Sequence, residues 1–295
     1  MNKYGDKWGA EYGSLVNRNI GFITEDQQEK IRNSKVSVFG IGGVGGVVFE
    51  VLARCGIGKF SIIDNDVYEQ TNMNRQIFAF QDTIGQRKID VAEGTAKKIN
   101  PEIMIDKYYA MGEDNIEEIL CNSDAAVLVI DKIKPCIIMS RKAREMGIPF
   151  VEGWALPYGN VITFTPQTPS LEEVYKLPTQ GKPISNFTDA EYDLFTLKIL
   201  LSFGKIEGTI DYYDDQTIKR VTEGHITSFA PTVWFTAVMI ALETVKILLS
   251  WGEIALAPVF SLYDPFKHRI PKILDGIPSR RVESLSRILN PRIFE

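Results

Sequence analysis

Lys35-Val-Ser-Val-Phe-Gly-Ile-Gly-Gly-Val-Gly-Gly46, then the apolar run 47–53, Gly56 and Lys59-Phe-Ser-Ile-Ile-Asp64, decides the fold. The β-branched run before Gly40 reads as a buried strand. The apolar residues after Gly46 read as a helix that Gly56 closes. A second strand follows and ends on Asp64. This β-loop-α-β unit, residues 35–64, is the framework of a mononucleotide-binding half. Gly40, Gly42 and Gly45 satisfy G-x-G-x-x-G, and Asp64 stands nineteen residues past Gly45. Such glycines let the backbone turn tightly and approach a phosphate, whose charge sits at a helix N-terminus. The acid accepts hydrogen bonds from ribose hydroxyls. On this unit alone the reading is NAD or another adenosine nucleotide.

Working outward, strands and helices alternate. Helices are predicted over 25–33, 86–99, 114–120 and 135–146, and strands over 103–108, 125–130 (ending on Asp131) and 149–152. Thr24 and Gln27 form a loose capping box, and Thr188-Asp-Ala-Glu191 opens a helix closed by Gly204. An extra strand is expected over 160–165, a loop over 166–183, a long apolar helix over 227–250, and a hairpin around Asp264-Pro265. The predicted fold is α/β: a Rossmann-like, twisted, mostly parallel sheet with helices on both faces, extended by a few antiparallel strands and a helical insert. The organisation expected is an N-terminal helical segment (1–34), a nucleotide-binding core (35–165) and a variable insert capping the substrate (166–224). A core helix and terminal strands (225–272) complete the same domain, and a basic amphipathic tail (273–295) follows.

Composition limits the function classes. The chain has 295 residues, which can bury a large core unaided. Its three cysteines, Cys55, Cys121 and Cys136, form no CxxC pair, which excludes a disulfide scaffold and a zinc ribbon. A net charge of -5 argues against a nucleic-acid partner. Residues 226–242 are free of charge but just short of a spanning helix, so a buried core or interface helix is expected and no membrane. No apolar signal segment is visible at the start, and the expected setting is cytoplasmic.

A second cluster separates the nucleotides. Asn72-Met-Asn-Arg-Gln76 follows Asp64 by eight residues, and Gly85-Gln-Arg-Lys88 comes next. A nicotinamide site has no need of a guanidinium and an ammonium here. A triphosphate does, since Arg75 grips oxygens bidentately and Lys88 places a point charge on them.

With Gly40–Gly45, Cys55-Gly-Ile-Gly58, Ile63-Asp-Asn-Asp66, Asn72-x-x-Arg75-Gln76 and Gly85-Gln-x-Lys88 assembled, the sequence resembles the ThiF/MoeB/HesA superfamily, bacterial relatives of ubiquitin-activating enzymes. The resemblance covers about 15–165 and resumes at 227–265. It implies a homodimer that binds ATP with Mg²⁺ and activates a carboxylate as an acyl-adenylate, releasing pyrophosphate. By resemblance, Gly40, Gly42, Gly43, Gly45, Asp64, Asp66, Gln76 and Lys134 hold the nucleotide together with Asn72, Arg75 and Lys88. Arg18 would come from the other subunit. Arg18, Asn72, Arg75, Lys88 and Asp131 would carry catalysis, with Asp131 as the Mg²⁺ ligand.

The chain departs from the family's pattern in three ways. The usual Asp-x-x-Asp-Asn is Asp131-Lys-Ile-Lys134-Pro135, so a lysine stands in place of the second acid. Asp131 or a substrate phosphate then holds the metal, or Lys134 itself neutralises the triphosphate, or adenylation is lost. The two CxxC pairs of many members are missing, so no zinc site is expected. No cysteine follows Cys136, so the adenylate would pass directly to its acceptor. On the acceptor side, Trp154 and Tyr158 are candidates for a pocket, His225 for proton handling, and His268 for structure.

The substrate class stays open between a small-molecule acid, a peptide and the C-terminus of a ubiquitin-like sulfur carrier. The missing zinc motif and late cysteine favour the first two. The similar tRNA threonylcarbamoyladenosine dehydratases share the Asn-Arg-Gln-Ile run but keep the second aspartate. The rival functions are a non-catalytic ATP-binding homologue and an NAD-dependent oxidoreductase.

Overall fold

The computed structural model describes residues 4–207, 212–213, 215–222 and 227–273. The strands are β1 (Lys35–Phe39), β2 (Lys59–Ile63), β3 (Met104–Tyr108), β4 (Ala125–Leu128), β5 (Phe150–Glu152), β6 (Gly159–Phe164) and β7 (Ser261–Tyr263). They form one sheet in the order β3-β2-β1-β4-β5-β6-β7. Strands β1 to β5 pair in parallel, and β6 and β7 extend the edge antiparallel. The strand order reverses between β1 and β4, and open α/β sheets bind ligands at such a switch point.

The helices are α1 (Gly5–Trp8), α2 (Ala10–Val16), α3 (Glu25–Asn33), α4 (Gly43–Arg54), α5 (Lys88–Ile99), α6 (Ile116–Leu120), α7 (Ile133–Glu145), α8 (Leu171–Val174), α9 (Asp189–Ser202), α10 (Asp215–Thr222) and α11 (Ala230–Leu249). Successive strand residues face opposite sides. Val36, Val38, Phe60, Ile62 and Val127 therefore pack with α4, α5 and α11. Phe39, Ile63, Ala126 and Leu128 pack with α6, α7 and the insert. Both faces are covered, as a parallel sheet requires.

The mononucleotide unit folds as its sequence suggests, but α4 starts at Gly43, inside the glycine run. Gly45 explains the close fit. A Cβ there would run into the Gly40 carbonyl and lie 2.9 Å from Val129 Cγ2. Gly40 itself has φ +97, a left-handed backbone that favours glycine. The helix expected over 227–250 is α11, packed against α4 and β6. It is long and apolar enough to cross a membrane, but 56% of its most apolar window is buried in the fold.

Two expectations shift. The stretch read as a loop over 166–183 contains α8, opened by a full Ser170–Glu173 capping box. Arg141 of α7 ties this segment down. It donates to both carboxylate oxygens of buried Glu172 at 2.9 and 2.7 Å, and to the Thr179 and Lys182 carbonyls. The late hairpin closes through a bridge between Asp264 and Arg269, while β7 takes β6 as its strand partner. Within the insert expected over 166–224, Asp215–Thr222 forms α10. His225 and the tail expected as a helix over 279–292 lie outside the described residues.

Candidate nucleotide site

The carboxyl ends of β1, β2 and β4 open into a cavity of about 490 Å³. Its walls include Gly40, Gly42, Gly43, Asp64, Asp66, Arg75, Gln76, Lys88, Asp131 and Lys132. The first turn of α4 starts here, and its N-cap, Gly42, offers no side chain to the free N–H groups. Such a helix start attracts an anion. At Gly43 an added Cβ would sit 3.1 Å from Val233 Cγ1 and 3.4 Å from Arg75 Cγ, so a side chain would fill the cradle.

Asp64 is held by two backbone donors, Ile41 N at 2.7 Å and Asp66 N at 2.9 Å. Burial raises its carboxyl above the ordinary range, while Lys88 and these N–H groups pull it back. Lys88 opens α5, is buried, and places Nζ 2.8 Å from Asp66 Oδ2. Arg75 donates to Thr71 O at 3.1 Å and Asn74 Oδ1 at 2.8 Å. Its own carbonyl accepts from Trp234 Nε1 at 2.8 Å, and Asn74 Nδ2 reaches Ser228 O at 3.1 Å. The start of α11 thus fixes the loop that carries the guanidinium. Asp131 opens into the cavity. Desolvation by the surrounding walls pushes its carboxyl above the usual value, against the pull of Arg75 and Lys88. Gln76 Oε1 is buried and has no partner among the described residues.

Four expected residues lie off these walls. Asn72 Oδ1 instead accepts from Glu69 N at 3.1 Å and caps a short 3₁₀ turn. Gly45 serves helix–strand contact. Arg18 is exposed after α2. Lys134 turns outward and meets Asp189 of α9 at 2.7 Å. Lys132 was missed by sequence reasoning, as were Tyr109, Met111 and Ser228. Lys132 and Tyr109 each follow a strand end, β4 and β3, and that placement was the available signal.

Asp131 faces the cavity without an ion pair, as does Asp64, which two backbone N–H groups hold. Mg²⁺ is commonly held by one or two carboxylates plus substrate phosphates, so this donor set fits a metal that the nucleotide itself helps to bind. Bound there, Mg²⁺ would neutralise phosphate charge. Among the described residues no group of three or more His, Cys, Asp or Glu is placed to hold a metal.

Trp154 and Tyr158 are core residues. Trp154 Nε1 donates to Tyr175 OH at 2.8 Å, and Tyr175 OH to Glu152 Oε2 at 3.0 Å. Burial pushes Glu152 up to about 8 from 4.5, so it is a neutral acid in the fold at pH 7. Unfolded, it ionises near 4.5. Its contribution to stability is therefore full below that pH and falls by up to about 1.4 kcal/mol per pH unit until the folded group ionises. Glu152→Gln should gain stability over the native chain at pH 7 and lose the advantage toward pH 4.5; urea unfolding at both pH values checks this. Cys136 is buried, its thiol pushed well up by desolvation, and it donates to Lys132 O at 3.1 Å.

A glycine cradle at a helix start, with acids and cations gathered around it at a switch point of the sheet, is the arrangement of a nucleotide-binding α/β fold. The ThiF family model matches residues 16–280, and the chain belongs to this family of E1-like adenylating enzymes. It is 27% identical over 194 residues to molybdopterin-synthase adenylyltransferase of Haemophilus influenzae, spanning 61% of this chain and 80% of that one. It is 29% identical over 216 residues to SAMP-activating enzyme E1 of Haloferax volcanii, spanning 68% and 80%. The fold is that of E. coli MccB solved with ATP, at TM-score 0.64 and 20% identity, covering 90% of this chain and 73% of that one.

Proposed function

We propose that this protein is a cytoplasmic adenylyltransferase that binds ATP and activates a carboxylate as an acyl-adenylate. The observation that carries the reading is the convergence of the Gly40–Gly43 cradle, Asp64, Arg75 and Lys88 on one cavity. The adenylyltransferase name of the Haemophilus relative agrees with it. Asp64 holds the ribose. Ile63, Met111, Ile130 and Pro135 offer the base an apolar wall. A carboxylate is already ionised at pH 7, so no general base is needed. Its oxygen forms a bond to the α-phosphorus while the bond to pyrophosphate breaks. Arg75, Lys88 and the first turn of α4 stabilise the charge that grows on the phosphates. The adenylate then passes directly to its acceptor, because Cys136 is a buried, protonated thiol.

The acid enters along a second groove, which shares Ala155 and Ser228 with the nucleotide cavity. Tyr212, Tyr213, Phe229 and Phe266 line it, and no charged side chain does among the described residues. That surface favours a peptide or small-molecule acid. The test is ATP–pyrophosphate exchange with such acids, alongside Lys134→Asp. Exchange by the native chain supports the reading. Exchange by Lys134→Asp alone means that the native chain is the non-catalytic homologue which the lysine at 134 otherwise favours.

We also infer a homodimer. Trp234, Val238 and Leu242 recur every four residues on α11 and are 40%, 49% and 53% exposed. A second copy covering this stripe would remove an apolar face that water disfavours. Arg18 is available to reach the partner's nucleotide. Leu242→Asp should convert the dimer to monomer in sedimentation; a dimer that persists contradicts this interface.

A further inference from the structure

Three cations and three acids line the nucleotide cavity. The cations are not equivalent. Lys88 is committed to Asp66 at 2.8 Å. Arg75 spends one nitrogen on Thr71 O and Asn74 Oδ1. Lys132 makes no side-chain hydrogen bond or close ion pair with another described residue. Lys132 and Lys134 both act on the Asp189 carboxyl, Lys132 more weakly than Lys134.

Lys134 is the direct partner of Asp189. Its ammonium sits 2.7 Å from Asp189 and 5.6 Å from the centre of the Tyr192 ring. Ile133 N, between the two lysines, donates to Thr196 Oγ1 of the same insert helix at 3.2 Å. The β4–α7 turn thus presents Asp131 and Lys132 to the cavity and Lys134 to α9. A carboxylate satisfied by Lys134 does not draw Lys132 away.

We propose that Lys132 grips the phosphate chain of the nucleotide and that Lys134 keeps it available by holding Asp189. The proposal rests on the ATP reading above. It assigns the cationic work at this turn to Lys132, with Lys134 as a positioning residue. An ammonium–phosphate bond is charge-assisted and lost without replacement when the side chain is cut back.

Calorimetric titration of the full chain with ATP and with adenosine tests it. Lys132→Ala should weaken ATP about tenfold to a hundredfold and leave adenosine within about twofold, and Lys132→Arg should retain most ATP affinity. Lys134→Ala should weaken ATP a few-fold, and adding Asp189→Asn should restore it. ATP affinity unchanged in Lys132→Ala, or ATP and adenosine falling in step, overturns the role of Lys132. No restoration by Asp189→Asn overturns the role of Lys134. A native chain that binds neither ligand overturns the nucleotide reading itself, and this is distinguishable because it appears before any substitution.

Discussion

Lys88→Met should weaken ATP binding about a hundredfold while the chain still folds. The ammonium is buried against Asp66, whose carboxylate side chain remains 61% exposed. Removing the lysine therefore leaves its ion-pair partner solvated, while Asp64 and Asp131 lose part of the pull that holds their carboxyls down. It does expose Asp66 to the incoming phosphates, so one change deletes an attraction and uncovers a repulsion. The aliphatic part of the side chain, which packs at the start of α5, is kept by methionine. Calorimetry with ATP, with adenosine as the control for the nucleoside half, measures the effect. A thermal melt confirms folding. ATP affinity within about threefold of the native value would remove Lys88 from the phosphate site.

Gly45→Ala should cost at least about 3 kcal/mol and leave little folded protein. Its Cβ would meet the Gly40 carbonyl and Val129 Cγ2, and a carbonyl in a strand-to-helix turn cannot step aside as a flexible side chain can. Because α4 packs on α11 and on β1, its displacement would open the core beneath the nucleotide cradle. Gly94→Ala is the control. It lies in α5 with nothing within 4 Å of an added Cβ, so it should stabilise by about 0.5–1 kcal/mol. Urea unfolding of both variants measures the contrast. Equal stabilities would mean that helix and strand do not approach as closely as the glycine run implies.

Residues 35–64 were legible because local signals coincide there: a β-branched run, a glycine turn, an apolar helix and an acid at a strand end. The Thr24 and Thr188 caps were legible for the same reason. Their geometry closes within four residues. Ser170-Leu-Glu-Glu173 carries the same pattern, but in a stretch whose prolines read as loop. What was not legible depends on direction. Lys132 and Lys134 are two residues apart, and only the path of the β4–α7 turn decides which faces the cavity. The resemblance puts Asn72 on the nucleotide, whereas its side chain serves a backbone donor three residues away. The edge pairing of β6 with β7 joins segments about a hundred residues apart and has no local signature.

Titrating the native chain with ATP and with NAD, with and without Mg²⁺, tests the central claim most directly. The account predicts that ATP binds, that Mg²⁺ tightens it, and that NAD binds weakly or not at all. Tight binding of NAD with no binding of ATP would contradict it and return Arg75 and Lys88 to the status of ordinary charges.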